Sequence, residues 1–368
     1  FIYKYNYIRL EEFMLNIDIK KTNNYKPKPN IDDSLEFGTV FTDHMFIMDY
    51  TSKEGWENPR IEEFKDISIS PAAMVFHYGQ SLFEGMKAYK TEEGDVQLFR
   101  PLKHIKRANN SAKRLCMPQI NEEDFLQAIK TLVDLDREWI PQKRGAALYI
   151  RPFMIATDPS VNVKPATKFK FIIILSPVFS YYKEGLNPVK IWIEDEYVRA
   201  IRGGIGEEKT GGNYAAAMLS QQKAHEAGFS QVLWLDGIEH KYVEEVGAMN
   251  IFFKIDNKVI TPSLSGSILD GVTRSSVIDL CRYFGYEVEE RKISVDELEK
   301  AACEKRLEEV FGTGTAAVIS PIGTLKFGNN IYTINSSKIG NLTQKIYDTL
   351  TGIQSGKEKD IFKWTEKV

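Results

Sequence analysis

Lys209 stands in the stretch RGGIGEEKTGGNYAAAM, in a glycine-rich loop just ahead of an expected helix. A lysine so placed could grip a phosphate, or its amine could bond covalently to a carbonyl cofactor. The phosphate-loop pattern G-x-x-x-x-G-K-[ST] finds its last two residues in Lys209 and Thr210, but the glycine position before them holds Glu208, with Glu207 alongside. Two carboxylates beside a cradle for polyphosphate repel it, so that reading fails. A second motif, GTGTAA from Gly312 to Ala317, fits the dinucleotide fingerprint G-x-G-x-x-A. It falls late in the chain rather than in a first βαβ unit, and Pro321 argues against a long helix opening there.

The third reading makes Lys209 a covalent catalyst. Its amine would form a Schiff base with an aldehyde such as pyridoxal phosphate, and that cofactor would act as an electron sink. This chemistry needs an acid on the pyridine nitrogen, a donor to the ring phenolate oxygen and several phosphate donors.

The bulk composition limits the alternatives. A chain of 368 residues exceeds what one hydrophobic core usually serves, so two domains are expected. With 27% charged residues and a net charge of −3, there is no basic excess or block for nucleic acid or an anionic membrane. Cys116, Cys281 and Cys303 show neither C-x-x-C nor metal-type spacing, which fits a reduced, cytoplasmic protein and buried structural cysteines. His44, His77, His104, His225 and His240 are scattered, so no metal site is expected. The longest apolar run, Phe171 to Leu175, reads as a buried strand rather than a membrane span. Residues 1–13 precede Met14, lack the apolar core of a secretion signal, and are expected to be an extension of little functional weight.

The elements that must position Lys209 follow from periodicity and turn signals. YKPKPNIDDS reads as an arm; HMFIMDY and AAMVFHYG read as strands; a turn at Glu92–Gly94 leads into VQLFR. Lys103 to Leu115 and EEDFLQAIKTLVDLDREWI carry helical spacing, and AALYIRPFMIA and FKFIIILSPVF read as strands. Glycine and proline in YKEGLNP suggest a linker at 184–190 between an N-terminal unit, 1–183, and a C-terminal one, 191–368. Beyond it come strand VKIWIED, a helix from about Asn213 to Ala227 closed by Gly228, and strands QVLWLDG, KYVEEVG and NIFFKIDNKVIT, the last with an Asp256–Asn257 turn. A helix from Thr273 and another with the capping box Ser294-x-x-Glu297 follow. The class is α/β or α+β in two lobes.

Eight stretches now carry a resemblance: FGTVFTDHMF, HYGQSLFEGMKAY, ALYIRPFMI, VRAIRGGIGEEKTGGNYAAAM, QVLWLDG, EEVGAMNIFF, LDGVTRSSVIDL and FGTGTAAVISPIG, in order from about residue 35 to 325. The chain resembles the branched-chain amino acid aminotransferases among the fold-type IV pyridoxal-phosphate enzymes. The resemblance implies a smaller N-terminal α/β domain, a larger C-terminal domain with a mixed sheet, an active site between them, and a homodimer. It implies amino transfer from L-leucine, L-isoleucine or L-valine to 2-oxoglutarate, with pyridoxal 5'-phosphate as cofactor. D-amino acid aminotransferase and aminodeoxychorismate lyase are the catalytic rivals of the same fold. A pyridoxal-phosphate carrier without catalysis is the rival of another class, and a nucleotide-binding protein a distant third.

By resemblance Lys209 is the Schiff-base lysine and proton shuttle, and Tyr214 donates to the phenolate oxygen. Glu245 keeps the pyridine nitrogen protonated, while strand alternation turns its neighbour Glu244 the other way. Arg107 binds the phosphate, with Gly271, Val272 and Thr273 at a helix N-terminus, where free N–H groups favour an anion. Read without the resemblance, Thr273 is an ordinary N-cap. Thr315 is the last phosphate donor, and Leu269 and Arg199 belong to the cofactor site. Lys103, Lys106, Lys113 and Arg114 read as a solvated helix face. The substrate walls are Phe37, Tyr78, Phe83, Tyr149 and Tyr181, with Arg151 for the distal carboxylate of glutamate. Thr315 and Ala316 offer backbone donors to the α-carboxylate. Val161 and Val163 match a loop that reaches into the neighbouring subunit's pocket. Two departures stand out: Ala248 replaces a threonine common in relatives, and Ala317 to Ser320 lacks the C-x-x-C redox pair of some of them.

Overall fold

The computed structural model describes residues 15–30, 35–143, 145–179 and 186–368. The first half of the chain builds one nine-stranded sheet. Its strands are β1 (Asp18–Ile19), β2 (His44–Thr51), β3 (Gly55–Glu63), β4 (Ser81–Phe83), β5 (Met86–Lys90), β6 (Val96–Phe99), β7 (Ala147–Ala156) and β8 (Lys168–Val178), joined by one late strand described below. The order β1-β3-β2-β8-β7-β5-β6 is antiparallel except at β1–β3, and β4 pairs with β7. Helices α1 (Met74–Tyr78), α2 (Pro101–Arg114) and α3 (Glu122–Leu135) accompany it. In α3 the buried positions Phe125, Ala128, Ile129, Leu132 and Val133 repeat at helical spacing, and they join Ile105, Ala108 and Ala112 of α2 in one core over the sheet.

The second half builds another sheet in the order β11-β10-β9-β16-β15-β12-β13-β14, with β17 on β16. Its strands are β9 (Val189–Ile193), β10 (Gln231–Leu235), β11 (Val243–Val246), β12 (Asn250–Ile255), β13 (Lys258–Thr261), β14 (Val288–Glu290), β15 (Leu307–Gly314), β16 (Val318–Phe327) and β17 (Asn330–Thr333). Parallel pairs at β9–β10, β9–β16 and β13–β14 sit among antiparallel ones, so this sheet is mixed, as expected. Helices α4 (Gly211–Glu226), α5 (Val272–Tyr283), α6 (Val295–Cys303) and α7 (Asn341–Gln354) cover it. Asp256 and Asn257 both take positive φ, 49° and 63°, in the β12–β13 turn, the geometry that matches strand twist. Ser294 accepts from the Glu297 N–H at 3.1 Å, so the N-cap half of the expected box forms.

Three expectations are corrected. The run AAMVFHYG is not a strand: Met74–Tyr78 is the short helix α1, closed by Gly79 at φ 60°, and only Met74 of it is buried. Only Ala73 of the run makes a β-bridge, to Pro159, and the residues after it lack the alternating buried face of a strand. Helix α4 begins at Gly211, two residues early, and Gly228 follows the C-cap Ala227. Cys281 is buried, but Cys116 and Cys303 are exposed. The first sheet also takes one strand from the far end of the chain. Strand β18 (Thr365–Lys367) crosses back and pairs antiparallel with β6.

That crossing joins the two halves. Trp364 is buried with its ring 5.7 Å from Phe99 of β6 and 4.2 Å from Phe362. Phe99 and Trp364 share a core with Val277 and Leu280 of α5 and with Leu342 and Ile346 of α7. Trp364→Ala should lower the unfolding free energy by about 3–5 kcal/mol in urea denaturation. A loss below about 1 kcal/mol would place this residue outside the cooperative core.

Candidate active site

Lys209 lies immediately before Thr210, the residue that opens α4. The first half of the chain holds its backbone: Lys209 N–H donates to Ser111 Oγ of α2 at 3.0 Å, and Lys209 O accepts from the Phe83 N–H of β4 at 3.0 Å. Thr210 Oγ1 donates to Ser81 O at 2.7 Å, so its hydroxyl ties the helix start to β4 instead of capping it. Asn213 Nδ2 donates to Ile205 O and Glu208 O at 2.7 and 2.8 Å and holds the loop closed. With its main chain fixed, the Lys209 ammonium donates to Tyr214 Oη at 2.7 Å and lies 4.6 Å from the Phe83 ring centre.

Glu245 and Glu244 lie on β11, and both are buried. Glu245 accepts from the Leu269 N–H at 2.7 Å, and Arg199 Nε comes within 3.3 Å of its other oxygen, without hydrogen-bond alignment. Arg199 Nη2 donates to Gly206 O and Ser267 O, tying the loop before Lys209 to the segment before α5. Burial raises the Glu245 carboxyl above its ordinary range against the opposing pull of Arg199, the Leu269 N–H, Lys209 and Arg107. Glu244 takes a separate partner, as alternation requires, and accepts from Ser267 Oγ. Burial pushes it up to about 7.

The N-terminus of α5 forms the third part. Its N-cap is Gly271 rather than Thr273, and no side chain caps it, so the amides of Val272 and Thr273 in the first turn are left for an outside anion. A side chain at 271 would overlap Asn250 Oδ1, while Asn250 Nδ2 donates to Leu269 O at 2.9 Å. Arg107 of α2 reaches this end through Nη1, which donates to Asp270 O at 3.0 Å. Its other face is a bidentate pair with Glu84, Nε to Oε1 at 2.7 Å and Nη2 to Oε2 at 2.9 Å. Glu84 is 0% exposed and also accepts from His104. Arg107, Gly271 and Val272 line a cavity of about 800 Å³. Lys103, Lys106, Lys113 and Arg114 line it too, so they are not only a solvated helix face.

A chain of ring contacts extends from Lys209. Phe83 meets Tyr214 at 4.8 Å, Arg151 stacks 4.7 Å from the Phe83 ring and 5.2 Å from that of Tyr149, and Tyr149 meets Phe37 at 5.0 Å. Arg151 Nη2 donates to Tyr149 Oη at 3.0 Å. The segment GTGTAA opens no helix: Thr315, Ala316 and Ala317 make the turn between β15 and β16, which removes the dinucleotide reading. Other expected residues are not gathered here. Tyr78, at the end of α1, is exposed and donates to Val161 O, while Val161 and Val163 are 68% and 79% exposed. Ala248 is an exposed residue of the turn between β11 and β12. Tyr181 lies outside the described residues.

These features fit a phosphorylated heteroaromatic aldehyde: an amine held at a hydroxyl, a buried carboxylate short of positive charge for a ring nitrogen, and uncapped helix amides beside an arginine. Sequence reading missed Glu84, Ser111, Asn250 and Ser267. Glu84 lies between β4 and β5, in a stretch where Glu84 to Ala88 are all buried, so no alternation marked it in the sequence. Among the described residues, no group of side chains is arranged to hold a metal ion, and no helix is long and apolar enough to cross a membrane.

The profile of the amino-transferase class IV family matches residues 81–325. The chain is 55% identical over 354 residues to branched-chain-amino-acid aminotransferase 2 of Bacillus subtilis (strain 168), covering 96% of this chain and 97% of that protein. Among solved structures, the Escherichia coli branched-chain amino acid aminotransferase matches with a TM-score of 0.72 at 26% identity, over 87% of this chain and 98% of that one. The T.th. branched-chain amino acid aminotransferase complexed with N-(5'-phosphopyridoxyl)-L-glutamate also gives 0.72 at 26% identity, over 87% and 97%.

The Glu84–Arg107 pair has a measurable signature. Burial alone would raise Glu84, but the Arg107 charge and hydrogen bonds, aided by His104, hold it far below its ordinary 4.5. A depressed carboxylate adds stability that is present above 4.5 and lost as pH falls toward the folded value. Glu84→Gln should therefore cost about 3 kcal/mol near neutral pH. That difference from wild type should shrink in unfolding curves taken below pH 4.5.

Proposed function

The chain belongs to the amino-transferase class IV family and, within it, to the branched-chain amino acid aminotransferases, and from that premise we propose a reaction and a role for each site residue. The reaction moves the amino group of L-leucine, L-isoleucine or L-valine to 2-oxoglutarate, giving the 2-oxo acid and L-glutamate, reversibly. Pyridoxal 5'-phosphate, when bound, supplies the electron sink and carries nitrogen between the two acids.

Lys209 Nζ would hold the cofactor, and the same amine would move the proton to and from the substrate Cα. The 2.7 Å hydrogen bond to Tyr214 carries this reading, because it sets the amine beside the hydroxyl that would serve the ring oxygen. Glu245 keeps the ring nitrogen protonated, oriented by the Leu269 N–H and neighboured by Arg199. A cationic ring nitrogen bound there would offset the burial that raises this carboxyl. Arg107, the Gly271–Thr273 amides and Thr315 hold the phosphate, with Arg107 aligned by Glu84. Phe37, Phe83 and Tyr149 wall an apolar box for the branched side chain, and Arg151 receives the distal carboxylate of glutamate. The amides of Thr315 and Ala316 take the α-carboxylate near Ala248.

Tyr78, Val161, Val163 and Tyr181 complete the pocket in a homodimer. In support, Phe76 is 61% exposed next to Tyr78, an apolar face suited to a second copy. The free, partly exposed cysteines support a reducing cytoplasmic setting.

The test is the visible spectrum of the protein with pyridoxal phosphate. L-leucine alone should bleach the cofactor band, 2-oxoglutarate should restore it, and D-leucine should do neither. Lys209→Ala should abolish the band and lower turnover by about 1,000-fold or more. A band indifferent to L-leucine would overturn the substrate assignment, and no band at all would overturn the cofactor assignment.

A further inference from the structure

Lys87 has no part in the scheme above, yet it is 5% exposed. It pairs directly with Tyr149 across the antiparallel β5–β7 ladder, so the two side chains share a sheet face with Arg151, two residues further along β7. Its ammonium donates to Ala316 O at 2.7 Å. No carboxylate pairs with it among the described residues, and burial pushes it down to about 8. A buried cation partnered by a neutral carbonyl is short of negative charge. The site therefore suits an anion.

The position of that carbonyl says how the cation acts. Ala316 lies in the turn between β15 and β16. Because a trans peptide is planar, fixing the Ala316 oxygen fixes the Ala316–Ala317 plane and constrains the neighbouring amides. Lys87 and Ala316 border a cavity of about 1130 Å³ that neither Lys209 nor Tyr214 lines. The ammonium thus acts across the turn rather than by touching the reacting atoms.

We propose that Lys87 is a positioning residue for the substrate's α-carboxylate: it anchors the Ala316 carbonyl so that the turn presents its amides, and it supplies the positive charge behind them. This rests on the functional reading above, in which those amides bind that carboxylate.

The experiment compares wild type, Lys87→Met and Lys87→Arg as holoenzymes, titrated with 4-methylvalerate and with its uncharged amide and read by perturbation of the cofactor band. Lys87→Met should weaken carboxylate binding by roughly 10-fold or more and amide binding far less, and Lys87→Arg should recover most of the loss. With L-leucine, KM should rise more than kcat falls. Equal weakening of both probes would reduce Lys87 to a structural role, and unchanged carboxylate binding would remove the proposal. Should Lys87→Met not fold, Lys87→Gln is judged by the same comparison. Wild type serves as the control on the underlying reading. If its band ignores L-leucine, that reading falls, whereas a responsive wild type with an indifferent Lys87→Met sinks this inference alone.

Discussion

Lys209 belongs by sequence to the second half of the chain, but its main chain is fixed by the first. Three hydrogen bonds, to Ser111, from Phe83 and from Thr210 to Ser81, bind the segment ahead of α4 to α2 and β4. Everything the lysine does follows from that seam. A flexible four-carbon side chain has large rotamer freedom, so its amine is aimed only if the backbone beneath it is rigid. The same seam brings Phe83 under the amine and sets Tyr214, one helical turn into α4, within hydrogen-bond reach.

Charge is distributed around the seam in matched portions. Arg107 is neutralised on one side by the fully buried Glu84, yet its Nη1 still reaches the start of α5. Glu245 shares Arg199 with two backbone carbonyls and is left under-compensated. Glu244 carries a second buried carboxyl on the far face of the same strand, held by Ser267. The result is an anion-seeking end at α5 and a cation-seeking end at β11.

Much of this was legible in the sequence, for a physical reason. Lys209, Tyr214, Glu245 and Arg107 sit in stretches whose order is recognisable over most of the chain, and the helices and long strands around them have clear periodicity. What escaped was whatever depends on partners distant in sequence. Glu84 reads as an ordinary charged residue until α2 is laid against it. The run at Met74 reads as a strand, but its pairing stops at the single bridge from Ala73 to Pro159. Cys116 and Cys303 follow no periodic rule, and their exposure is decided by where α2 and α6 end. Val161 and Val163 were expected to act in a neighbouring subunit's pocket, and one chain leaves them on its surface.

The return of β18 to the first sheet bears on synthesis. Strand β6 pairs with β18 along residues 97–99, and the segment that completes this edge is made only after every strand of the second sheet. Until then the nascent first sheet carries an unpaired edge, the kind that invites wrong pairing. The edge of the N-terminal sheet is therefore completed only by the last segment of the chain. A chain cut anywhere before Thr365 would lose the strap between the halves, so the ribosome's late errors fall on the early sheet as well as on the late one.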